Sequence, residues 1–117
     1  MKIQIYTDNN IDGGARLDDY IRSTVEDILS RSDDYITRVE VHLSEESSHK
    51  RIREDKICKM EARLKGHPPV AVTNHASTLD QAVEGAAEKL THVIKHTLGR
   101  LHHREGHRAD PPPETNF

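Results

Sequence analysis

Between residues 78 and 104, apolar side chains recur at every third or fourth position: Leu79, Ala82, Val83, Ala86, Ala87, Leu90, Val93, Ile94, Leu98 and Leu101. That spacing fits the 3.6-residue turn of an α-helix and gathers them on one stripe. A helix this long with a single apolar stripe must lie against a layer that buries it. Its other side is left to solvent or to a partner. Successive residues advance about 100°, so Lys89, His92, His96, Arg100 and His103 fall within an arc of roughly 80° on the polar side. Asp80, Glu84 and Glu88 occupy the first half and the cations the second, the order that the helix macrodipole favours. Thr78 followed by Gln81 has the spacing of a capping box.

The rest of the chain supplies the layer. Residues 2–7 alternate, with Ile3 and Ile5 on one side and Lys2, Gln4 and Tyr6 on the other, the period-2 pattern of a half-buried strand. After the turn signal Asp8-Asn9-Asn10, Asp12-Gly13-Gly14 opens a helix with apolar positions Leu17, Tyr20, Ile21, Val25, Ile28 and Leu29. Its end is expected between Ser32 and Asp34. Val39, Val41 and Leu43 alternate with Arg38, Glu40 and His42 over residues 36–44, and Cys58, Met60, Ala62 and Leu64 share one side over residues 56–65. Residues 45–55 are charged or small and polar, a connection in which Lys50, Arg51 and Arg53 adjoin Glu54 and Asp55. Gly66-His67-Pro68-Pro69 turns the chain into a last strand, residues 70–76, with Val70 and Val72 inward.

The predicted fold class is α+β, in the order β-α-β-β-β-α. An antiparallel four-stranded sheet carries two helices on one face and leaves the other face to water. This domain is expected to span residues 1–104. Residues 105–117 have three consecutive prolines and no apolar period, the composition of a disordered tail.

Composition narrows the function. The only Phe is Phe117 and there is no Trp, so the core of this 117-residue chain must be aliphatic and an aromatic-lined pocket is not expected. No apolar run is long enough for a bilayer, and the N-terminus reads as a strand instead of a signal peptide, so a cytoplasmic location without a membrane partner is expected. The single Cys58 cannot form an internal disulfide and alternates with inward residues, which makes it a buried strand residue. A formal charge of -3 argues against indiscriminate coating of nucleic acid, although protonating a third of the nine histidines would cancel it.

No catalytic constellation emerges. Asp18-Asp19, Glu26-Asp27 and Asp33-Asp34 are sequence neighbours, which do not face each other on a helix. The Gly13-Gly14 pair lacks the rest of a phosphate loop. His92 and His96 lie four apart, with His102, His103 and His107 beyond, but no HExxH pattern or second cysteine completes a zinc set. The chain is expected to be no enzyme, with no metal, no cofactor and no small-molecule substrate.

The order of elements, the opening MKIQIYTDNNI and the block TLDQAVEGAAEKLTHVIKHTLGRL together resemble the ribosome hibernation-promoting factors and ribosome-associated inhibitors. The likeness covers roughly residues 1–104 and is most specific at Ala82-Val83-Glu84 and Lys89-Leu90. It implies a domain similar in shape to a double-stranded-RNA-binding domain. In that family such a domain lodges in the small ribosomal subunit, where messenger and transfer RNA would pass, during stress-linked hibernation. The length matches the short members, which lack the additional dimerising domain.

Carried over by position, Lys89 matches a family lysine and Arg100 a family basic residue, while His92 and His96 stand where arginine or lysine is usual. The RNA-binding set expected from stripe and resemblance together is Arg22, Lys89, His92, Lys95, His96, Arg100 and Arg104. The first helix departs from the family: residues 15–35 hold three arginines against six acidic residues, and only Arg22 is well placed to substitute for a family lysine. The expected function is a ribosome-associated translation inhibitor that binds small-subunit ribosomal RNA. A divergent protein-interaction module of the same fold is the alternative.

Overall fold

The structure, a computed structural model, describes residues 1–8, 11, 13–46 and 56–109, the last nine by their backbone alone. In chain order these form β1 (Lys2–Thr7), α1 (Ala15–Leu29), a 3-10 segment (Ser30–Tyr35), β2 (Ile36–Glu45), β3 (Lys56–Leu64), β4 (Val70–Ala76) and α2 (Leu79–Ala109). The strands make one four-stranded sheet in the order β1-β2-β3-β4. The predicted α+β arrangement is therefore present, with one difference. β1 runs parallel to β2, while β2, β3 and β4 are mutually antiparallel, so the sheet is mixed. The reason is the crossover: α1 carries the chain back across the sheet before β2 starts, which makes β1-α1-β2 a parallel unit.

The alternation in the strands is what the layer needs. Val39, Val41, Leu43, Cys58, Met60, Ala62 and Leu64 are buried on the helix side, and Ile3 joins them from β1. From above, α1 contributes Ile21, Val25 and Leu29, and α2 contributes Ala82, Val83, Ala86, Ala87, Leu90 and Ile94. No aromatic ring is fully buried among the described residues. Full burial of a side chain such as Leu90 contributes about 1.5–3 kcal/mol, and the alanines let α2 approach the sheet closely.

Local chemistry sets the ends. The Thr78 hydroxyl accepts a hydrogen bond from the Gln81 N–H at 3.1 Å, so Thr78 caps α2 as its spacing predicts. Gly66 turns the chain after β3 at φ 68°, in the left-handed region where a Cβ is strained. α1 gives way to the 3-10 segment at Ser30, so helical structure reaches Tyr35 in a tightened form. α2 continues to Ala109, five residues past the predicted domain end at 104, and the rest of the expected tail lies outside the described residues. Lys50, Arg51 and Arg53 also lie outside them.

Candidate nucleic-acid interface

The two flanks of α2 have different neighbours. One is turned to α1: the Tyr20 hydroxyl donates to Glu84 at 2.9 Å, and the Thr91 hydroxyl reaches the Ile28 carbonyl at 3.5 Å. The other flank overhangs β4: Asn74 Nδ2 donates to the carbonyls of Gln81 and Ala82, and Lys89 Nζ donates to the Thr73 carbonyl at 3.0 Å. The close approach there depends on Gly85, where an added Cβ would stand 2.2 Å from Asn74 Nδ2.

The basic stripe starts at the β4 flank with Lys89 and runs along the outer side of α2 through His92, His96 and Arg100, while Lys95, about 120° from Lys89 around the helix, lies nearer the α1 flank. Lys89, His92, Lys95, His96 and Arg100 are all exposed. From Lys89 to Arg100 the stripe is about 16 Å long at 1.5 Å per residue. Among the described residues, His92, Lys95, His96 and Arg100 have no ion-pair partner. Arg104 is in the same helix one turn further on, and its side chain lies outside the described residues.

Two residues of the expected set are committed elsewhere. Arg22 is half-buried on α1, its Nε 2.7 Å from Asp18 Oδ2 and its Nη1 donating to the Ile3 carbonyl at 2.8 Å. Lys89 is bound to the Thr73 carbonyl. β1 and β4 are the outer strands of the sheet, and each presents a carbonyl along its free side. A cation therefore caps each edge, a device that blunts pairing with another chain. The edges are three strand spacings, about 14 Å, apart, so the fold does not bring Arg22 to the α2 stripe. Sequence reading missed this capping. The only available signal was a long cationic side chain on each helix, and its reach to a strand edge depends on tertiary packing.

Cys58 is fully buried, and burial pushes its thiol up to about 12, so it is not a thiolate nucleophile at neutral pH. Among the described residues no group of three or more His, Cys, Asp or Glu is placed to hold a metal ion. Nor is any described helix long and apolar enough to cross a membrane.

Two solved structures share this architecture. The Protein Y N-terminal domain of Thermus thermophilus superposes with a TM-score of 0.67 at 20% identity, covering 83% of this chain and 99% of that one. A ribosomal subunit interface protein from Coxiella burnetii gives a TM-score of 0.65 at 18% identity, covering 85% and 99%. No curated protein matches the chain in sequence. The family model described as Sigma 54 modulation protein / S30EA ribosomal protein matches residues 4–102, which takes in β1 from Gln4, the other three strands whole and the packed part of α2. The chain belongs to the Sigma 54 modulation protein / S30EA ribosomal protein family.

Proposed function

We propose that this protein is a ribosome-associated translation inhibitor that binds small-subunit ribosomal RNA through the outer side of α2 and sterically blocks the channel of messenger and transfer RNA. The observation that carries this reading is the run of exposed His92, Lys95, His96 and Arg100 along one helix, without an ion pair among the described residues, in a chain of this family. Exposed cations without a partner reach phosphate without first breaking a protein contact, at the cost of ordering their long side chains. Inhibition by occupancy needs no catalytic group, cofactor or small-molecule substrate. The expected location is the cytoplasm, where the ribosomes are.

Lys95 and Arg100 supply fixed charge, Arg104 extends the line, and Lys89 marks where it begins at the sheet edge. His92 and His96 add ring nitrogens that can hydrogen-bond to phosphate along the same line. If about four phosphates are neutralised, log affinity should fall with log salt at a slope near -3, taking the coefficient for single strands.

Co-sedimentation of the purified protein with small subunits over a salt series tests the reading. Recovery in the pellet that declines with salt at that slope supports it, and absence from the pellet even at the lowest salt rejects it.

A second reading is favoured by the exposed acids Asp19, Glu26 and Asp27 on α1: a protein-interaction module that keeps the fold. Pull-down from nuclease-treated lysate separates the two, because a protein partner survives the nuclease and an RNA-dependent partner does not.

A further inference from the structure

The face of the sheet turned away from the helices has an ordered side-chain pattern that neither the fold nor the α2 stripe requires. Register across the strands sorts it into rows. Lys2, Arg38 and Arg63 stand side by side in one row. Tyr6, His42, Lys59 and Thr73 form another, about 13 Å along the strands from the first at 3.3 Å per residue.

Three adjacent cations in cross-strand register repel one another, and Glu40, 2.7 Å from Arg38 and attracted also to Arg63, offsets part of that repulsion, so Lys2 and Arg63 are the members of the row most available to an anion. Arg38 is only partly satisfied: its Nη2 lies 2.7 Å from Glu40, while its Nε has no hydrogen-bond partner among the described residues. Lys2 and Arg63 have no ion-pair partner among them either. Tyr6 is 46% exposed, and its ring stacks on His42 with centroids 4.7 Å apart and planes 14° from parallel. Lys59, exposed, is the cross-strand neighbour of His42. Stacked rings beside unpaired cations suit nucleobases and phosphates together, whereas an acidic peptide would use only the cations.

This surface also joins the stripe on α2. The row through Tyr6, His42 and Lys59 ends at Thr73, whose carbonyl holds Lys89, the first residue of the stripe. A strand of nucleic acid can pass from Lys59 on the open face across Thr73 at the β4 edge to Lys89 on α2.

We infer that the open face of the sheet is a second contact for single-stranded RNA, with a base stacked against Tyr6 and phosphates on Lys59 and on the row of Lys2, Arg38 and Arg63, continuous with the α2 stripe around β4. The inference deepens the proposed RNA binding and rests on it for the class of partner. Glu40 and Glu61, which face each other between the two rows, limit the affinity.

The test is a fluorescence-anisotropy titration of labelled hexauridylate with the full chain at low salt. Tyr6→Ala and Lys59→Glu should each weaken binding by on the order of tenfold, the scale of one lost stacking or phosphate contact, and Glu61→Gln should tighten it. Both weakened positions are exposed, so the variants retain the fold, and circular dichroism checks this. Unchanged affinity in both variants overturns the inference, as does equal competition by a hexaglutamate peptide, which would assign the face to an acidic protein. Ribosome sedimentation is read separately. If the wild type fails to sediment while hexauridylate binding depends on Tyr6 and Lys59, the ribosomal reading falls and the sheet-face contact stands.

Discussion

The two helices share one layer and one task, covering the same sheet face, yet their cations have different fates. On α1, Arg22 is engaged twice, by the Asp18 carboxylate and by the Ile3 carbonyl, and the surrounding surface is acidic. On α2, only Lys89 is engaged, and the four basic or titratable side chains from His92 to Arg100 are unpaired among the described residues. A partly exposed cation whose hydrogen-bonding groups are already taken must break those bonds before it meets phosphate. One without a partner meets phosphate directly. Charge type alone therefore does not mark the interface.

The largest effect should come where α2 meets the sheet. Gly85→Ala forces Asn74 away from the Gln81 and Ala82 carbonyls, and overpacking of this kind costs about 1–3 kcal/mol in urea-induced unfolding. A smaller loss separates the two cation roles. Arg22→Ala should lower stability by about 1 kcal/mol, discounted for its partial exposure, and leave RNA affinity nearly unchanged. Large loss of affinity with intact stability would reverse the comparison.

The smallest effects concern protons. Burial raises the Cys58 thiol to about 12, so the stability contributed by its neutral form is fully present below the ordinary thiol value of 9.0 and fades as pH climbs toward 12. A thiol reagent at neutral pH should label Cys58 only as fast as the domain opens; rapid labelling of the folded protein would contradict its burial. Glu40 is shifted the other way, chiefly by its hydrogen bond to His42, with Arg38 adding attraction and desolvation opposing. Its contribution is present above the ordinary value of 4.5 and is lost as pH falls through the lower folded value. An NMR titration of Glu40 in His42→Ala should move back toward that ordinary value.

Much of this arrangement was legible in the residues. Val39, Val41 and Leu43, like Cys58, Met60, Ala62 and Leu64, alternate because one face of the sheet is buried, and a period of two is visible without a structure. The α2 stripe and the Thr78 cap were equally local. The parallel pairing of β1 was not, because Ile3 and Ile5 point the same way whichever direction the neighbouring strand runs. The engagement of Arg22 and Lys89 was hidden for a related reason: it pairs a helix side chain with a strand carbonyl across the fold. The outward positions of Lys2, Tyr6, His42 and Lys59 could be read individually, but their rows exist only once the register is known.

The proposed ribosome contact is the outer side of α2 and not α1. Co-sedimentation with small subunits should compare two charge reversals of equal size, Lys95→Glu with Arg100→Glu on α2 and Arg16→Glu with Arg31→Glu on α1 and the 3-10 segment. All four positions are exposed, so stability should change by no more than about 0.5 kcal/mol per site. The account predicts that the α2 pair abolishes sedimentation and the α1 pair preserves it. Equal loss from both pairs, or loss from the α1 pair alone, would contradict it.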